Sequence, residues 1–319
     1  MSLRDLRVAF KAEHGRVHAV NGVDLDLAPG EALGLLGESG SGKSITLRAI
    51  MRLLPASAEV KGSIRFAGQE IMALRRHRLR QLRGAGIAMV FQEPMTAMDQ
   101  TFTVGQQIVE AIRAHESVTR QDARRRALDL LELVQIPSAE SRLGSYPQEM
   151  SGGMRQRAMI ALALACRPKV LLADEPTTAL DVTVQIQILL LLRRLQRELG
   201  MSMIFVTHDI GAAVEVSDRI AVMYGGRIGE IGTASQIVRS PRHPYSRGLI
   251  SAVTSRDKGE RMQGIPGKPP RLEQPPDCCT FHPRCRFAIV DCRSTLPQLQ
   301  TVDADHQTAC LRSQELVQG

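Results

Sequence analysis

Apolar and polar positions alternate along residues 2–36, and this pattern predicts several short strands at the start of the chain. Two of these strands are residues 17–20 and 23–27. A third, shorter and buried, is residues 33–36. From residue 43 to residue 54 the apolar side chains follow the period of an amphipathic helix. The N-terminal region is therefore predicted to be rich in strands and then to change to a helix.

Farther along, short apolar runs alternate with longer amphipathic segments, as strands alternate with helices in α/β proteins. The predicted strands are residues 87–91, 170–173 and 203–206, and the predicted helical segments are residues 105–135 and 182–199. Residues 219–231 indicate a hairpin that turns at Gly225 and Gly226. We expect an α/β fold with a mostly parallel sheet.

The composition changes near residue 240, where prolines begin to interrupt the pattern. Seven prolines fall between residues 241 and 276. We predict one domain over residues 2–240 and a loop-rich C-terminal extension without regular structure over residues 241–319. Five of the six cysteines lie in this extension, between residues 278 and 310. In a reducing compartment such a group indicates metal binding rather than disulfide bonds.

The composition excludes some classes of function. Of the 319 residues 43% are hydrophobic, which suits a packed core. Only 3% are aromatic, which argues against stacking platforms for nucleic acid, so we predict no nucleic-acid partner. The net charge of +8 is attributed mainly to solvated helical faces, with some help to docking on an anionic membrane. The longest apolar runs are far shorter than the roughly 20 residues that span a bilayer, and no signal peptide is visible. We expect a chain that is soluble in itself.

A phosphate-binding loop follows the strand at residues 33–36. Its glycines let backbone N–H groups close around a β-phosphate, and the helix behind it contributes a positive N-terminal dipole. Lys43 supplies a charge for the β- and γ-phosphates, and the Ser44 hydroxyl is a ligand for Mg²⁺. The pattern G-x-x-x-x-G-K-[ST] is matched in full by Gly37, Glu38, Ser39, Gly40, Ser41, Gly42, Lys43 and Ser44.

Four polar residues fall at the ends of predicted strands, where parallel sheets bind ligands. Asp174 and Glu175 follow a buried strand, and carboxylates placed there are costly unless they are used. We predict that Asp174 holds Mg²⁺ through water and that Glu175 polarises the attacking water. Gln92 is predicted to contact Mg²⁺ and that water, and His208 to bond the γ-phosphate. Taken singly, each of these residues also has a structural interpretation.

Ser151, Gly152 and Gly153 precede an apolar helix. Ser151 is a good N-cap, and a capped helix is the simplest interpretation of the segment. The same physics suits a function, because a helix N-terminus with a serine hydroxyl and exposed N–H groups binds anions such as a γ-phosphate. Nothing local separates the two interpretations.

Together these motifs resemble the ATP-binding subunits of ABC transporters over about residues 2–240. The resemblance implies a P-loop NTPase fold with a RecA-like core, an antiparallel β subdomain, a helical insert over about residues 93–160 and the Cys-rich extension. It also implies that ATP and Mg²⁺ are the cofactors, and that each Ser-Gly-Gly segment completes the ATP site of a partner subunit. Asp181 falls on the D-loop of the family. His14 is the nearest counterpart of the aromatic residue that usually stacks on adenine.

Three segments are similar to the oligopeptide, dipeptide and nickel importer branch of that family: residues 91–96, residues 146–157 and the C-terminal tail. In this branch Met154 is the usual residue after Ser-Gly-Gly. Subunits of the branch bind a [4Fe–4S] cluster in the tail, and four thiolates are the right number for one. The resemblance assigns this cluster to Cys279, Cys285, Cys292 and Cys310. Their spacing alone also permits zinc or free thiols. Cys278 is spare, and Cys166 lies in an apolar helix as a core residue.

The expected function is therefore an ATPase that powers peptide import as a peripheral subunit on the cytoplasmic face of the inner membrane. Its implied partners are a second ATPase subunit, identical or paralogous, two membrane permeases and, indirectly, a solute-binding protein. Nickel or another small solute is the alternative cargo. A soluble ABC ATPase that acts on DNA or ribosomes is a weaker alternative, because such proteins carry long coiled coils or two tandem ATPase units. A redox or metal sensor is a further alternative, against which the Asp174–Glu175 pair argues.

Overall fold

The computed structural model of the chain describes residues 1–12, 15–257 and 265–315. Strands and helices alternate through most of this part of the chain. The strands are β1 (Ser2–Ala12), β2 (Gly15–Asp26), β3 (Ala32–Leu36), β4 (Ala58–Phe66), β5 (Gln69–Glu70), β6 (Ile87–Val90), β7 (Val170–Asp174), β8 (Ser202–Thr207), β9 (Arg219–Tyr224), β10 (Arg227–Thr233), β11 (Gln300–Asp303) and β12 (His306–Thr308). The helices are α1 (Lys43–Ile50), α2 (Arg76–Ala85), α3 (Pro94–Ala97), α4 (Val104–His115), α5 (Arg120–Leu133), α6 (Ala139–Arg142), α7 (Gly152–Leu164), α8 (Val182–Glu198), α9 (Ile210–Val216), α10 (Ala234–Arg239) and α11 (Pro244–Asp257).

The chain divides into two compact units. The first unit comprises Met1–Ala28, Ala32–Ala73 and Val206–Gly319, and the second comprises Pro29–Glu31 and Leu74–Phe205. The predicted boundary at residue 240 stays a prediction from sequence, since each unit is assembled from separate stretches of chain.

An antiparallel sheet with the strand order β2-β1-β4-β5 forms one part of the first unit. Its alternating apolar side chains are buried, as Leu3, Leu6 and Val8 show. The two strands expected within residues 15–27 are one continuous strand, β2. The pairing runs on through Asn21, opposite Arg7, and register shifts in β1 absorb the irregularity.

The other sheet of the first unit has the order β11-β12-β10-β9-β3. β3 is entirely buried and pairs with β9 in parallel, as its continuous apolar run predicts. The predicted hairpin is confirmed: β9 and β10 are antiparallel, and Gly225 and Gly226 turn the chain with φ angles of 54° and 75°.

The expectation that the extension lacks regular structure was wrong. It contains helix α11 and the strands β11 and β12, and β12 pairs with β10. Pro244 is the first residue of α11, a position where a helix needs no N–H donor and tolerates proline. The prolines between residues 266 and 276 do lie outside helices and strands.

The second unit contains the strand order β8-β7-β6, in which β6 and β7 are parallel, and most of the helices. The helical segment predicted over residues 105–135 is two helices. α4 ends before Glu116, and α5 begins after Thr119, whose side chain accepts a hydrogen bond from the N–H of Asp122. In the described residues no helix is both long and apolar enough to cross a bilayer.

Candidate functional site

The phosphate-binding loop lies in the first unit between β3 and α1, in the context that the sequence predicts. Lys43 is buried, and its ammonium group donates to the carbonyl oxygens of Gly37 at 2.8 Å and Glu38 at 2.9 Å. Gly42 precedes α1 in the left-handed region, with a φ of 103°. The loop is thus closed over its own lysine at the start of the helix.

Two glycines of the loop are required by close packing. A Cβ atom at Gly37 would lie 2.3 Å from the carbonyl oxygen of Met223, and one at Gly42 would lie 2.5 Å from that of Ala19. The N–H of Gly226 also donates to the carbonyl oxygen of Ser41 at 3.1 Å. The hairpin of β9 and β10 therefore packs against the phosphate loop.

Glu38 makes contacts that the sequence did not reveal. The Arg284 guanidinium binds both of its carboxylate oxygens, at 2.8 and 3.1 Å. The N–H of Glu38 donates to the Tyr245 hydroxyl at 2.9 Å. These partners lie 246 and 207 positions away along the chain, so no local pattern could have found them.

Two further predicted residues belong to the first unit by position. His208 follows the end of β8 and is exposed, next to Asp209, which caps α9 by accepting from the N–H of Ala212. The chain therefore presents His208 at a strand end, as expected. His14, the predicted adenine contact, lies outside the described residues.

In the second unit, Asp174 ends β7 with 1% exposure and Glu175 follows it. Glu175 has a φ of 44°, a left-handed conformation that is strained for a side chain with a Cβ and that is characteristic of functional sites. The hydroxyl of Thr178 donates to a Glu175 carboxylate oxygen at 3.1 Å. Thr178 thus orients the predicted catalytic carboxylate, and no motif in the sequence indicates this contact.

Gln92 lies two residues beyond the end of β6. β6 and β7 run in parallel with Val90 opposite Ala173, so both strands end at the same edge. The second unit therefore brings Gln92 to the same edge as the Asp174–Glu175 pair, as the sequence predicts.

The Ser151-Gly152-Gly153 segment begins helix α7. The Ser151 hydroxyl oxygen accepts from the N–H of Met154 at 3.3 Å, so the predicted N-cap is present. This bond uses the hydroxyl as an acceptor and leaves its hydrogen able to donate. Asp181 caps α8 in the same way, accepting from the N–H of Val184 at 3.0 Å.

Helices α7 and α8 meet at Gly153. A Cβ atom there would lie 2.7 Å from Cγ1 of Val184. The predicted phosphate-binding segment and the predicted D-loop are thus packed against each other in the second unit, through a position that has no room for a side chain.

The cysteines of the extension are all free thiols. Burial, then the charges of Cys279, Cys285 and Cys292, raise the pKa of Cys310 to about 11, so the four predicted ligands share one region. Cys278 takes no part in that set of charges. In the described part of the chain no three or more His, Cys, Asp or Glu side chains are arranged to hold a metal ion. The thiols as placed therefore do not form a metal site.

The prediction that Cys166 is a core residue in an apolar helix was wrong, because Cys166 is half-buried and lies just beyond the end of α7. Its thiol donates to the carbonyl oxygen of Ala111 at 3.4 Å, and burial raises its pKa to about 11.

The sequence matches two known families. Residues 20–178 match the ABC transporter family, and residues 230–292 match the oligopeptide/dipeptide transporter C-terminal region. The oligopeptide transport ATP-binding protein OppD of Escherichia coli is 46% identical, over 99% of this chain and 94% of that protein. OppD of Bacillus subtilis is 44% identical, over 96% of this chain and 87% of its own length.

Solved structures agree with this relationship. The ATP-binding cassette MJ0796, in a dimeric post-hydrolysis state bound to ADP and Pi, superposes with a TM-score of 0.66 and 28% identity, over 73% of this chain and 98% of its own. The cbiO1 protein of Clostridium perfringens, part of the ABC transporter complex cbiONQ, superposes with a TM-score of 0.62 and 28% identity, over 74% and 91% of the two chains.

Proposed function

Because this chain belongs to the ABC transporter family, we propose that it is the subunit that binds and hydrolyses ATP to drive peptide import through separate membrane permeases. The observation that carries the proposal is the likeness to oligopeptide transport ATP-binding proteins along nearly the whole chain, extension included. The closed phosphate loop and the oriented carboxylate at Glu175 supply the chemistry that such a subunit needs.

The proposed roles follow the chemistry of each group. Gly37–Ser44 hold the phosphates of ATP, with Lys43 neutralising the β- and γ-phosphates. Ser44, Gln92 and Asp174 hold Mg²⁺, whose charge offsets that of the triphosphate. Glu175 activates the attacking water and His208 bonds the γ-phosphate.

We propose that the chain acts as a dimer with an identical or paralogous ATPase subunit. The capped N-terminus of α7 suits an anion, so Ser151, Gly152 and Gly153 would bind the γ-phosphate held by the partner subunit. Asp181, at the cap of α8, would lie beside that phosphate. Closure of this dimer would depend on the γ-phosphate, so ADP should not support it.

The proposed location is the cytoplasmic face of the inner membrane, where the subunit contacts two permeases and, through them, a solute-binding protein. Peptide is the proposed cargo, because the extension matches the oligopeptide/dipeptide family. Nickel is the cargo against which this assignment is to be tested.

Uptake by the complete transporter tests the function. Cells that carry this chain with its permeases and binding protein should take up a labelled tripeptide, and Glu175→Gln should nearly abolish both uptake and hydrolysis while ATP-driven dimerisation persists. Thr178→Val is the companion variant, because it removes the bond that orients Glu175 and should lower turnover less. Full turnover by Glu175→Gln would overturn the catalytic role, and ⁶³Ni uptake without peptide uptake would overturn the cargo.

The iron–sulfur assignment is a separate proposal about Cys279, Cys285, Cys292 and Cys310. It is supported by the resemblance of the tail to that branch of importers. As placed, they would have to approach one another to bind a cluster. Anaerobic purification should give a brown protein with about four irons per chain. A colourless, zinc-loaded product would refute the assignment.

A further inference from the structure

Glu38 occupies the second position of the phosphate-binding loop, and every polar group of this residue has a partner within the first unit. Its carbonyl oxygen accepts from Lys43, its N–H donates to Tyr245, and its carboxylate binds Arg284. Lys43 belongs to the loop, whereas Tyr245 and Arg284 belong to the C-terminal extension. The extension therefore determines where Glu38, and with it the carbonyl that holds Lys43, is placed.

Burial and hydrogen bonds hold the Arg284 side chain in one position. Its side chain is only 6% exposed. Besides Glu38, the guanidinium donates to the carbonyl oxygens of Pro266 at 2.8 Å and Ile265 at 3.1 Å, and to the Tyr224 hydroxyl at 3.3 Å. These bonds use all five N–H donors of an arginine. An arginine held in this way cannot follow a mobile carboxylate, so the carboxylate must follow the arginine.

An aromatic cluster supports the second contact. Two of the three tyrosines of the chain, Tyr224 and Tyr245, pack with their ring centroids 4.6 Å apart, and Phe281 lies 5.1 and 5.4 Å from them. Tyr245 is fully buried, and its hydroxyl meets the N–H of Glu38. Only 3% of the residues are aromatic, and this cluster contacts the phosphate loop through Tyr245.

We propose that Arg284 and Tyr245 are positioning residues for ATP binding, through which the C-terminal extension sets the conformation and the charge of the phosphate loop. This inference rests on the proposed ATP-binding function. Arg284 fixes the Glu38 carboxylate and neutralises it, so that the loop does not present an unpaired negative charge to a triphosphate. Tyr245 fixes the backbone of Glu38.

Because Arg284 both fixes and neutralises the Glu38 carboxylate, variants of the full chain should differ in their Kd for MgATP in a definite order. Arg284→Gln leaves Glu38 charged and unpaired, so the Kd for MgATP should rise about ten-fold or more. Glu38→Gln removes the negative charge, and its amide oxygen can still accept a hydrogen bond from Arg284, so the rise in Kd should be smaller. The double variant should resemble Glu38→Gln, because the repelling charge is gone. A purely structural contact would instead make the two single variants equal.

Salt provides a second readout. Arg284→Gln should lose more affinity for MgATP than the double variant, because its unpaired Glu38 carboxylate repels the triphosphate. This difference should shrink as the ionic strength rises from about 0.05 to 0.5 M. Arg284→Lys keeps the charge without the two-pronged contact and should recover part of the affinity. Tyr245→Phe keeps the ring packing and loses only the hydroxyl, so its Kd should rise less than that of Arg284→Gln.

The experiment is a fluorescence titration of each variant with a labelled ATP analogue, displaced by MgATP, alongside thermal melting. Arg4→Gln is the matched control, since Arg4 also binds both oxygens of a carboxylate, Asp26, at 2.7 and 2.9 Å, but on the exposed surface of the same unit. Its Kd should equal that of the wild type. Equal Kd values for Arg284→Gln and wild type would overturn the inference alone. A wild-type chain that does not bind MgATP would instead overturn the proposed function.

Discussion

The contact between Gly153 and Val184 offers a sharp test of how the Ser-Gly-Gly segment is positioned. The Cβ of Gly153→Ala would lie 2.7 Å from Cγ1 of Val184, about 0.7 Å short of the 3.4 Å at which ordinary contact begins. Val184 is β-branched and lies in the first turn of α8, so it has few other rotamers. The two helices must therefore move apart.

Overpacking of this kind costs about 1–3 kcal/mol of the free energy of unfolding, against which the alanine contributes a gain of roughly 0.5–1 kcal/mol from lower chain entropy. Gly152→Ala is the matched control in the same helical turn, because its Cβ would lie at 3.4 Å from Cδ2 of Leu180 and fits after a slight adjustment. We expect a net loss of about 1–2 kcal/mol for Gly153→Ala and no loss for Gly152→Ala.

Turnover should respond more strongly than stability, since displacement of α7 moves the Ser151 hydroxyl that we assign to the γ-phosphate. ATPase activity of the assembled transporter is the assay, with ATP binding to the isolated subunit as a second measurement. Binding should stay unchanged. Val184→Ala removes Cγ1, so the Gly153→Ala/Val184→Ala double variant should recover turnover. Equal free energies of unfolding for Gly153→Ala and Gly152→Ala, or no recovery of turnover in the double variant, would refute the proposed packing effect.

Three further outcomes are expected. Ser151→Ala should lose the cap of α7, about 1 kcal/mol, and lower turnover in the assembled transporter without weakening ATP binding to the isolated subunit; weaker binding there would contradict the assignment to the partner's phosphate. Cys166 should resist a thiol reagent at pH 8 in the native chain and react after denaturation, because at a pKa of about 11 only roughly one thiol in a thousand is ionised. Burial lowers the pKa of His243 from 6.5 to about 4 against the opposing charge of Glu230, so the unfolded chain binds the extra proton first. The melting temperature should therefore fall as the pH drops from 6.5 towards 4, by the equivalent of about 3 kcal/mol, and His243→Gln should flatten that part of the profile.

Sequence reasoning was strongest where a motif is local. The phosphate loop lies between a strand and a helix as predicted, because glycine spacing and the change of apolar period are both encoded within about fifteen residues. Asp174 ends β7 and Gln92 follows β6, which runs parallel to it, and both positions are likewise indicated by local apolar runs. The hairpin at Gly225 and Gly226 was also predicted correctly, because those residues adopt φ angles that other residues avoid.

Sequence reasoning failed where distant segments compete with local preference. The extension was expected to lack regular structure because prolines interrupt it, yet β12 forms because β10 offers an edge with which to pair. The four cysteines share one region, but their spacing could not show how closely the thiols approach. Glu38 falls on an unspecified position of the loop pattern, and its partners lie more than two hundred residues away.

The sequence by itself therefore determined the class of fold, the place of the phosphate loop between a strand and a helix, and the candidate residues at the strand ends. Periodicity, glycine spacing and charged strand ends are local signals. They can be identified in short stretches of sequence without knowing which segments pack together. The tertiary structure alone decided that Gly153 has no room for a side chain and that Glu38 is held by the extension through Arg284 and Tyr245. These contacts arise only when segments far apart in sequence are packed together, and one-dimensional patterns carry no record of such distances.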